Sequence, residues 1–355
     1  MDGRDIIVIG ASAGGVEALT GLVAALPGDL PAAVLVTVHI PPYAVSSLPD
    51  ILSRAGALPA AHARDGELLQ NGRVYVAPPN HHLLLEDGVV HLSLGPRVNH
   101  TRPAIDPLFL SAARVYGPHV IGIVLSGMLD DGTAGLQEIK AQGGVAVIQD
   151  PQEALFRSMP QSALEHVGVD YVLPVSEMGA VLRRLTLQPS RQAQPQAQAQ
   201  PQSPPEQKAQ PEQEGYTAMT DETPPAEEAV EEDIAAQEQG ERDGMLTVYT
   251  CPECGGSLWQ ANVGTLVRFR CHTGHVLSGT TLFAEQTENI EKSLWYAVRS
   301  LRDKARLARQ LAHDAWERGA ALTAERFEEK GQLNDAHAEV VERMIQANAA
   351  LDEVA

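Results

Sequence analysis

The stretch Ile6-Ile7-Val8-Ile9-Gly10-Ala11-Ser12-Ala13-Gly14-Gly15 decides the fold of the first half of the chain. Its four apolar residues predict a short buried strand, and its glycines predict a tight turn. The apolar spacing over Val16–Ala25 then predicts a helix. Two glycines flank Ser12 in the pattern G-x-S-x-G, which is typical of a nucleophile placed between a strand and a helix N-terminus. The stretch therefore predicts a strand–turn–helix unit that exposes a serine hydroxyl.

The alternation of apolar runs and helical patterns continues to residue 187. Near-continuous apolar runs such as Val34–Val36 indicate strands buried on both faces, as in a parallel sheet. We predict an α/β fold over residues 1–187, with a doubly wound, mostly parallel, Rossmann-like sheet between two helical layers. The strand candidates are Ile6–Ile9, Ala33–His39, Val74–Ala77, Leu83–Leu85, Val89–Leu92, Val120–Ser126, Ala146–Gln149 and Tyr171–Leu173, and the helix candidates are Val16–Ala25, Pro107–Tyr116 and Gly132–Gln142.

Two further strand ends carry the groups that a reactive serine needs. His39 ends the second strand, and imidazole is the usual base for a serine nucleophile. Asp130 and Asp131 follow another buried strand, where either could orient the histidine or simply cap the next helix. A glycine-rich turn after a strand also suits a nucleotide such as NAD or ATP, but G-x-G-x-x-G spacing is missing and His39 replaces the expected acid. The residues favour a serine hydrolase over a nucleotide site.

Six ordered blocks within residues 5–185 resemble the catalytic domain of the chemotaxis protein-glutamate methylesterases (CheB type). The resemblance implies a doubly wound α/β serine esterase that hydrolyses glutamate γ-methyl esters on methyl-accepting chemoreceptor-type proteins and releases methanol. It also implies deamidation of receptor glutamines, and no cofactor for catalysis. The blocks are Ile9–Gly15, Val38–Pro41, Tyr75–Leu83, Arg102–Asp106, Leu125–Gly132, and Gln149–Pro151 with Ser158–Pro160.

Position in these blocks implies a role for individual residues. By the resemblance, Ser12 is the nucleophile, His39 is the general base, and Asp131 orients His39. Asp131 is matched to this role because it directly precedes the glycine of the block. The backbone amide of Met128 is the implied oxyanion donor. Arg102 is expected to line the substrate-binding mouth.

This sequence departs from the family pattern at several points. Ala13 stands where many members have threonine, Leu129 where glycine is usual, and Asp130 where asparagine is usual. The typical member also carries an N-terminal phospho-receiver domain, whereas this sequence begins at the first esterase strand, so we expect that form of control to be absent. These departures leave open an alternative function, a weakly active or inactive adaptor in a signalling pathway.

The composition excludes several classes of partner. The net charge is −20, and residues 188–244, rich in Gln, Pro, Ala and then Glu, are predicted to be a disordered linker. No basic face indicates nucleic-acid binding, and no apolar run is long enough for membrane insertion. We expect a cytoplasmic protein.

Residues 245–280 are predicted to form a small zinc-ribbon-like module. Cys251 and Cys254 form C-x2-C, and Cys271 follows 17 residues later with two nearby histidines. So short a segment cannot be held by burial alone, and four Cys or His ligands are typical of structural Zn²⁺. We predict Cys251, Cys254, Cys271 and His275 as ligands, with His272 as an alternative to His275.

Residues 281–355 carry apolar residues at helical spacing. They predict two amphipathic helices that form a hairpin or a coiled coil, with Gly319 and Gly331 as candidate breaks. The hairpin could be self-packed, or it could dimerise or bind an unknown regulator.

Overall fold

The computed structural model describes residues 4–86, 88–188 and 244–352, and side chains up to residue 347. The predicted linker, residues 188–244, therefore lies almost entirely outside the described residues. The chain separates into two compact units, Met1–Thr281 and Leu282–Ala355. None of the described helices is both long and apolar enough to cross a membrane.

The first unit is built around a seven-stranded sheet in which every pair of neighbours is parallel. The strand order is β3-β4-β2-β1-β7-β8-β9, so the chain winds outward in both directions from β1. The strands are β1 Ile6–Ala11, β2 Ala33–Val38, β3 Ala60–His62, β4 Val74–Val76, β7 Val120–Val124, β8 Val145–Gln149 and β9 Tyr171–Leu173.

Helices cover both faces of this sheet, because the central strands are apolar on both sides. Ile7 and Ile9 of β1 belong to one buried cluster, and Ile6 and Val8 belong to the other. The first cluster includes residues of α1, α2 and α6, and the second includes residues of α3, α4 and α5. The predicted doubly wound α/β fold is confirmed. The helices are α1 Gly15–Ala24, α2 Leu48–Ala55, α3 Ile105–Tyr116, α4 Thr133–Ala141, α5 Ser158–His166 and α6 Val175–Leu187.

Two predicted strands lie outside the parallel sheet. β5 (His82–Glu86) and β6 (Val89–Ser93) pair with each other as an antiparallel hairpin. Leu83, Leu85 and Val90 are buried, whereas Leu84, His91 and Leu92 are only half-buried, so the hairpin has one better covered face, unlike the central strands of the parallel sheet. Four elements were not predicted from the sequence: the strand β3 and the helices α2, α5 and α6. β3 is short and lacks a β-branched residue.

The cysteine-containing segment forms a separate four-stranded antiparallel sheet, called the ribbon below. Its strands are β10 Met245–Thr250, β11 Ser257–Val263, β12 Leu266–Cys271 and β13 Val276–Ser278. Leu258, Phe269 and Leu277 are its large buried apolar side chains. So small an apolar core is consistent with a fold that needs additional stabilisation, such as a structural metal ion.

The second unit is a helical hairpin formed by α7 (Gly279–Glu317, from Leu282 onward) and α8 (Ala321–Asp352). Gly319, with φ 75°, lies in the turn between them, whereas Gly331 lies inside α8. Val298 packs with Ala338 and Ile345 across the hairpin. Many of the other buried positions in these helices are alanines, while several larger apolar residues of the sequence pattern are exposed: Ile290, Leu333, Val340 and Met344.

Candidate active site

Three polar side chains meet at the carboxyl edge of the parallel sheet. Ser12 follows β1, His39 follows β2, and Asp131 follows β7. β2 and β7 are the two neighbours of β1, so the three side chains come from three adjacent strands. Parallel strands end at the same edge, which is where open α/β sheets place their sites.

The three side chains form a continuous hydrogen-bonded chain. Nδ1 of His39 lies 3.1 Å from Oγ of Ser12, and Nε2 of His39 lies 2.7 Å from Oδ2 of Asp131. An ionised carboxylate can only accept, so Nε2 carries the proton and donates it to Asp131. Nδ1 then accepts from the Ser12 hydroxyl, which is the arrangement that lets imidazole remove the serine proton.

Backbone contacts hold the serine turn in place. The Ser12 amide donates to the carbonyl of Ser126 at 3.0 Å, and the Ser126 hydroxyl donates to the carbonyl of Ala13 at 2.8 Å. Gly14 has φ 68°, and a Cβ there would lie 2.9 Å from Oγ of Ser126. A Cβ at Gly10 would lie 2.3 Å from the Ile105 side chain. Both glycines of the motif are therefore required by close approach, and Gly14 also by its backbone conformation.

Asp131 is held by four N–H donors as well as by its burial. Oδ2 accepts from His39 and from the Ile105 amide at 2.6 Å; Oδ1 accepts from Nδ2 of Asn99 at 2.9 Å and from the Asp106 amide at 3.3 Å. Burial by itself raises the pKa of Asp131. The hydrogen bond and charge of His39, with the Ile105 and Asn99 donors, outweigh it and leave this pKa below its usual value. Asp131 is thus an ionised, oriented partner for His39.

Two more buried carboxyls lie beside Asp131. Burial raises the pKa of Asp106 to about 6; Arg268 and the Gly135 amide counteract this shift. Burial also raises the pKa of Asp130, and hydrogen bonds from the hydroxyls of Ser278 and Thr281 counteract it. The two adjacent aspartates therefore face different partners, since Asp131 contacts the histidine and Asp130 contacts the ribbon.

The structure places the other two predicted esterase residues as follows. The amides of Ser126 and Gly127 are paired, to the Gln149 side chain and the Phe156 carbonyl, whereas within the described residues the next amide, that of Met128, has no protein acceptor. A backbone N–H without a protein acceptor is the kind of donor that an oxyanion hole uses. The Arg102 guanidinium donates to Asn80 and to the carbonyls of residues 94 and 95, so its described bonds hold loops together.

Sequence reasoning missed Asn99, Asp106 and Ser126 as parts of this site. Asp106 and Ser126 lay within blocks that resemble the family, but neither received a role. Asn99 adopts φ 47°, a left-handed conformation that asparagine tolerates better than most residues. No local pattern assigns it to Asp131, because the contact joins residues 32 positions apart.

The four predicted metal ligands come together in the ribbon. One ligand atom from each of Cys251, Cys254, Cys271 and His275 lies within 4.8 Å of the other three. Nδ1 of His275 lies 3.7 Å and 3.5 Å from the sulfurs of Cys251 and Cys271. The His272 ring instead lies against Gly256, where an added Cβ would be 2.4 Å from its Nδ1. Three sulfurs and one imidazole nitrogen at this spacing suit tetrahedral Zn²⁺.

Comparisons with known proteins match the α/β domain. Residues 7–182 match the family described as CheB methylesterase. A putative protein-glutamate methylesterase/protein-glutamine glutaminase of Leptospira interrogans is 41% identical over 182 residues, which cover 51% of this chain and 94% of that protein. A Methanosarcina mazei protein-glutamate methylesterase/protein-glutamine glutaminase is 38% identical over 183 residues.

A solved structure supports the same match. The crystal structure of the Thermotoga maritima CheB methylesterase catalytic domain has a TM-score of 0.50 and 35% sequence identity, and the match covers 52% of this chain and all of that domain. The chain spans about half the length of the Methanosarcina relative. The family match ends at residue 182, before the ribbon and the helical hairpin begin.

Proposed function

The chain belongs to the CheB methylesterase family, and we propose that it hydrolyses glutamate γ-methyl esters on methyl-accepting chemoreceptor-type proteins and releases methanol. The observation that carries this proposal is the hydrogen-bonded chain from Ser12 through His39 to Asp131. The relatives' names include protein-glutamine glutaminase, which supports deamidation of glutamine by the same residues.

The geometry supports a two-step acyl transfer. Ser12 Oγ attacks the ester carbonyl while its proton passes to Nδ1 of His39, and Asp131 stabilises the imidazolium that results. The Met128 amide and the N-terminus of α1 stabilise the oxyanion. Collapse of the resulting tetrahedral intermediate breaks the bond between the carbonyl carbon and the methoxy oxygen, and His39 returns the proton to the departing methoxide to give methanol. Water, deprotonated by His39, then hydrolyses the acyl-serine to glutamate; with glutamine the leaving group is ammonia.

We also infer that the ribbon holds one structural Zn²⁺ through Cys251, Cys254, Cys271 and His275. Four protein ligands leave no open coordination position, so the ion would stabilise the fold and take no part in ester hydrolysis. Thiolate ligands are maintained in a reducing compartment, which supports our placement of the protein in the cytoplasm. We expect about one equivalent of zinc in protein purified without chelator.

The test of the proposed activity is methanol release from a receptor carrying radiolabelled methyl esters. Ser12→Ala should abolish release, because no other group replaces the nucleophile, while the thermal unfolding midpoint should stay close to that of the wild type. Ser176→Ala, an exposed serine on α6, is the matched control and should retain full activity. Methanol release by the Ser12 variant would contradict the nucleophile assignment. Receptor binding without release by the wild type would favour the adaptor function.

A further inference from the structure

One edge of the ribbon lies directly against the surroundings of the catalytic aspartate. The backbone amide of Asn99 donates to the Val276 carbonyl at 2.8 Å, and the backbone amide of Ser278 donates to the side-chain Oδ1 of Asn99 at 3.0 Å. The Ser278 hydroxyl donates to Asp130 at 2.8 Å. Arg268 of β12 forms an ion pair with Asp106 in which both side chains are largely buried. The ribbon thus contacts Asp106 and Asp130, the two carboxyls beside the triad, and also Asn99, whose side-chain amide binds Asp131.

Asn99 transmits the position of the ribbon to the triad. Its Oδ1 accepts from the Ser278 backbone, and therefore its Nδ2 points the other way, to Oδ1 of Asp131. An amide with one end fixed cannot turn its oxygen toward the carboxylate. The ribbon backbone therefore fixes the donor that aligns Asp131 with His39.

Arg268 acts on the charge of the same region. Asp106, Asp130 and Asp131 are all buried, with relative exposures of 1%, 9% and 2%, and three negative charges so close together would destabilise one another. Arg268 brings a guanidinium into this cluster with its side chain only 12% exposed. A buried cation lowers the cost of keeping Asp131 ionised.

We propose that the ribbon is a built-in positioning element of the esterase site, in which Arg268 balances the buried carboxylates and Asn99 aligns Asp131 with His39. Both are positioning residues, because neither reaches the reacting atoms. The inference rests on the proposed esterase function. It adds that the part of the chain outside the family match completes the catalytic domain.

The charged groups around Asp131 and Asp106 set the expected effect of pH. Arg268 faces them from β12, Asp130 from the loop after β7, and His39 from the end of β2. His82 of β5 lies nearby, and burial lowers its pKa. Arg268 lowers the pKa of both Asp106 and Asp130, so without its charge these carboxyls should take up protons at higher pH. The acid limb of the activity profile should then move to higher pH.

The test uses full-length protein and the pH dependence of Ser12 labelling by a fluorophosphonate probe, which needs an activated serine but no receptor. Arg268→Gln should move the acid limb up by about one pH unit, so that labelling falls about tenfold below the limb and little at high pH. Arg268→Lys should recover most of the loss. Arg270→Gln, on the same strand and exposed, is the matched control and should label like the wild type.

A double variant, Arg268→Gln with Asp106→Asn, separates charge balance from packing. An asparagine oxygen can still accept the Gly132 and Gly135 amides that Asp106 binds, at 3.1 Å and 2.8 Å. If Arg268 acts by charge, the double variant should return the limb toward its wild-type position. Unchanged labelling in Arg268→Gln, or an equal loss at every pH without recovery in the double variant, would overturn the inference. Failure of the wild type to release methanol would instead remove the proposed substrate while leaving the labelling result intact.

Discussion

Replacing Asp131 by asparagine should disable the enzyme through the tautomer of His39 and should also destabilise the fold. Both carboxylate oxygens of Asp131 face only N–H donors: His39 and the Ile105 amide on one side, Asn99 and the Asp106 amide on the other. The amide nitrogen of an asparagine therefore meets donors in either orientation. If it faces His39, the ring must accept at Nε2 and carry its proton on Nδ1, where it cannot act as a base toward Ser12.

The magnitude follows from these contacts. The equivalent change in serine proteases, which also leaves the histidine in the wrong tautomer, lowers kcat by about 10⁴, and we expect a loss of about 10³–10⁴ here. Each buried donor left without an acceptor costs about 1–3 kcal/mol. Removing a buried charge offsets part of this cost, so we expect the free energy of unfolding to fall by about 2 kcal/mol.

Asp130→Asn is the matched control, since it makes the same chemical change one residue away. Asp130 accepts from the hydroxyls of Ser278 and Thr281, and an asparagine oxygen can accept the same bonds. Burial raises the pKa of Asp130, which means that its ionisation opposes folding at neutral pH. The variant should be as stable as the wild type or more so, with activity within about threefold. Methanol release and urea unfolding measure both. Equal losses in the two variants would refute the separate roles assigned to the aspartates.

Two further predictions concern the backbone and the ribbon. Leu129 has φ 61°, a left-handed conformation that costs a residue with a Cβ about 1–2 kcal/mol. Leu129→Gly should therefore raise the free energy of unfolding, measured by urea titration, by up to about 1 kcal/mol after the conformational entropy of glycine is subtracted. A decrease in this free energy would contradict the backbone strain. Cys271→Ser should reduce bound zinc from about one equivalent to well below half an equivalent, measured by inductively coupled plasma emission, and should slow fluorophosphonate labelling of Ser12. Ser257→Ala in the same ribbon should change neither quantity. Normal labelling in a zinc-free variant would show that the ribbon does not position the esterase site.

The triad could be predicted from sequence because each member lies shortly after the carboxyl end of a buried apolar strand. In a parallel sheet, local patterns of this kind place residues at one edge without any knowledge of distant contacts. The choice of Asp131 over Asp130 came from the family resemblance, since both residues have the same local setting. What separates them physically is the Ser278 hydroxyl bond to Asp130, which joins residues 148 positions apart. No periodicity encodes such a contact.

The helical hairpin shows a second limit of sequence patterns. Large apolar residues at helical spacing predict two amphipathic helices, but Leu333 and Met344 are more than half exposed, while Ala305 and Ala324 are fully buried. Alanine gives a weak hydrophobic signal, so a small-residue face is easily overlooked. The exposed residues are the part of this unit that a regulator or a second copy could contact, and that role stays a prediction.

The ribbon changes how the departures from the family pattern are interpreted. Asp130 stands where asparagine is usual, and taken alone this change favours a weakened enzyme. In the structure its carboxylate is bound by hydroxyls of Ser278 and Thr281, both of which lie outside the family match. These two bonds accommodate the aspartate without requiring it, since an asparagine oxygen could accept both, so the departure by itself does not indicate decay of the site. A buried carboxylate is acceptable only when polar contacts satisfy it, and the Ser278 and Thr281 hydroxyls provide such contacts for Asp130.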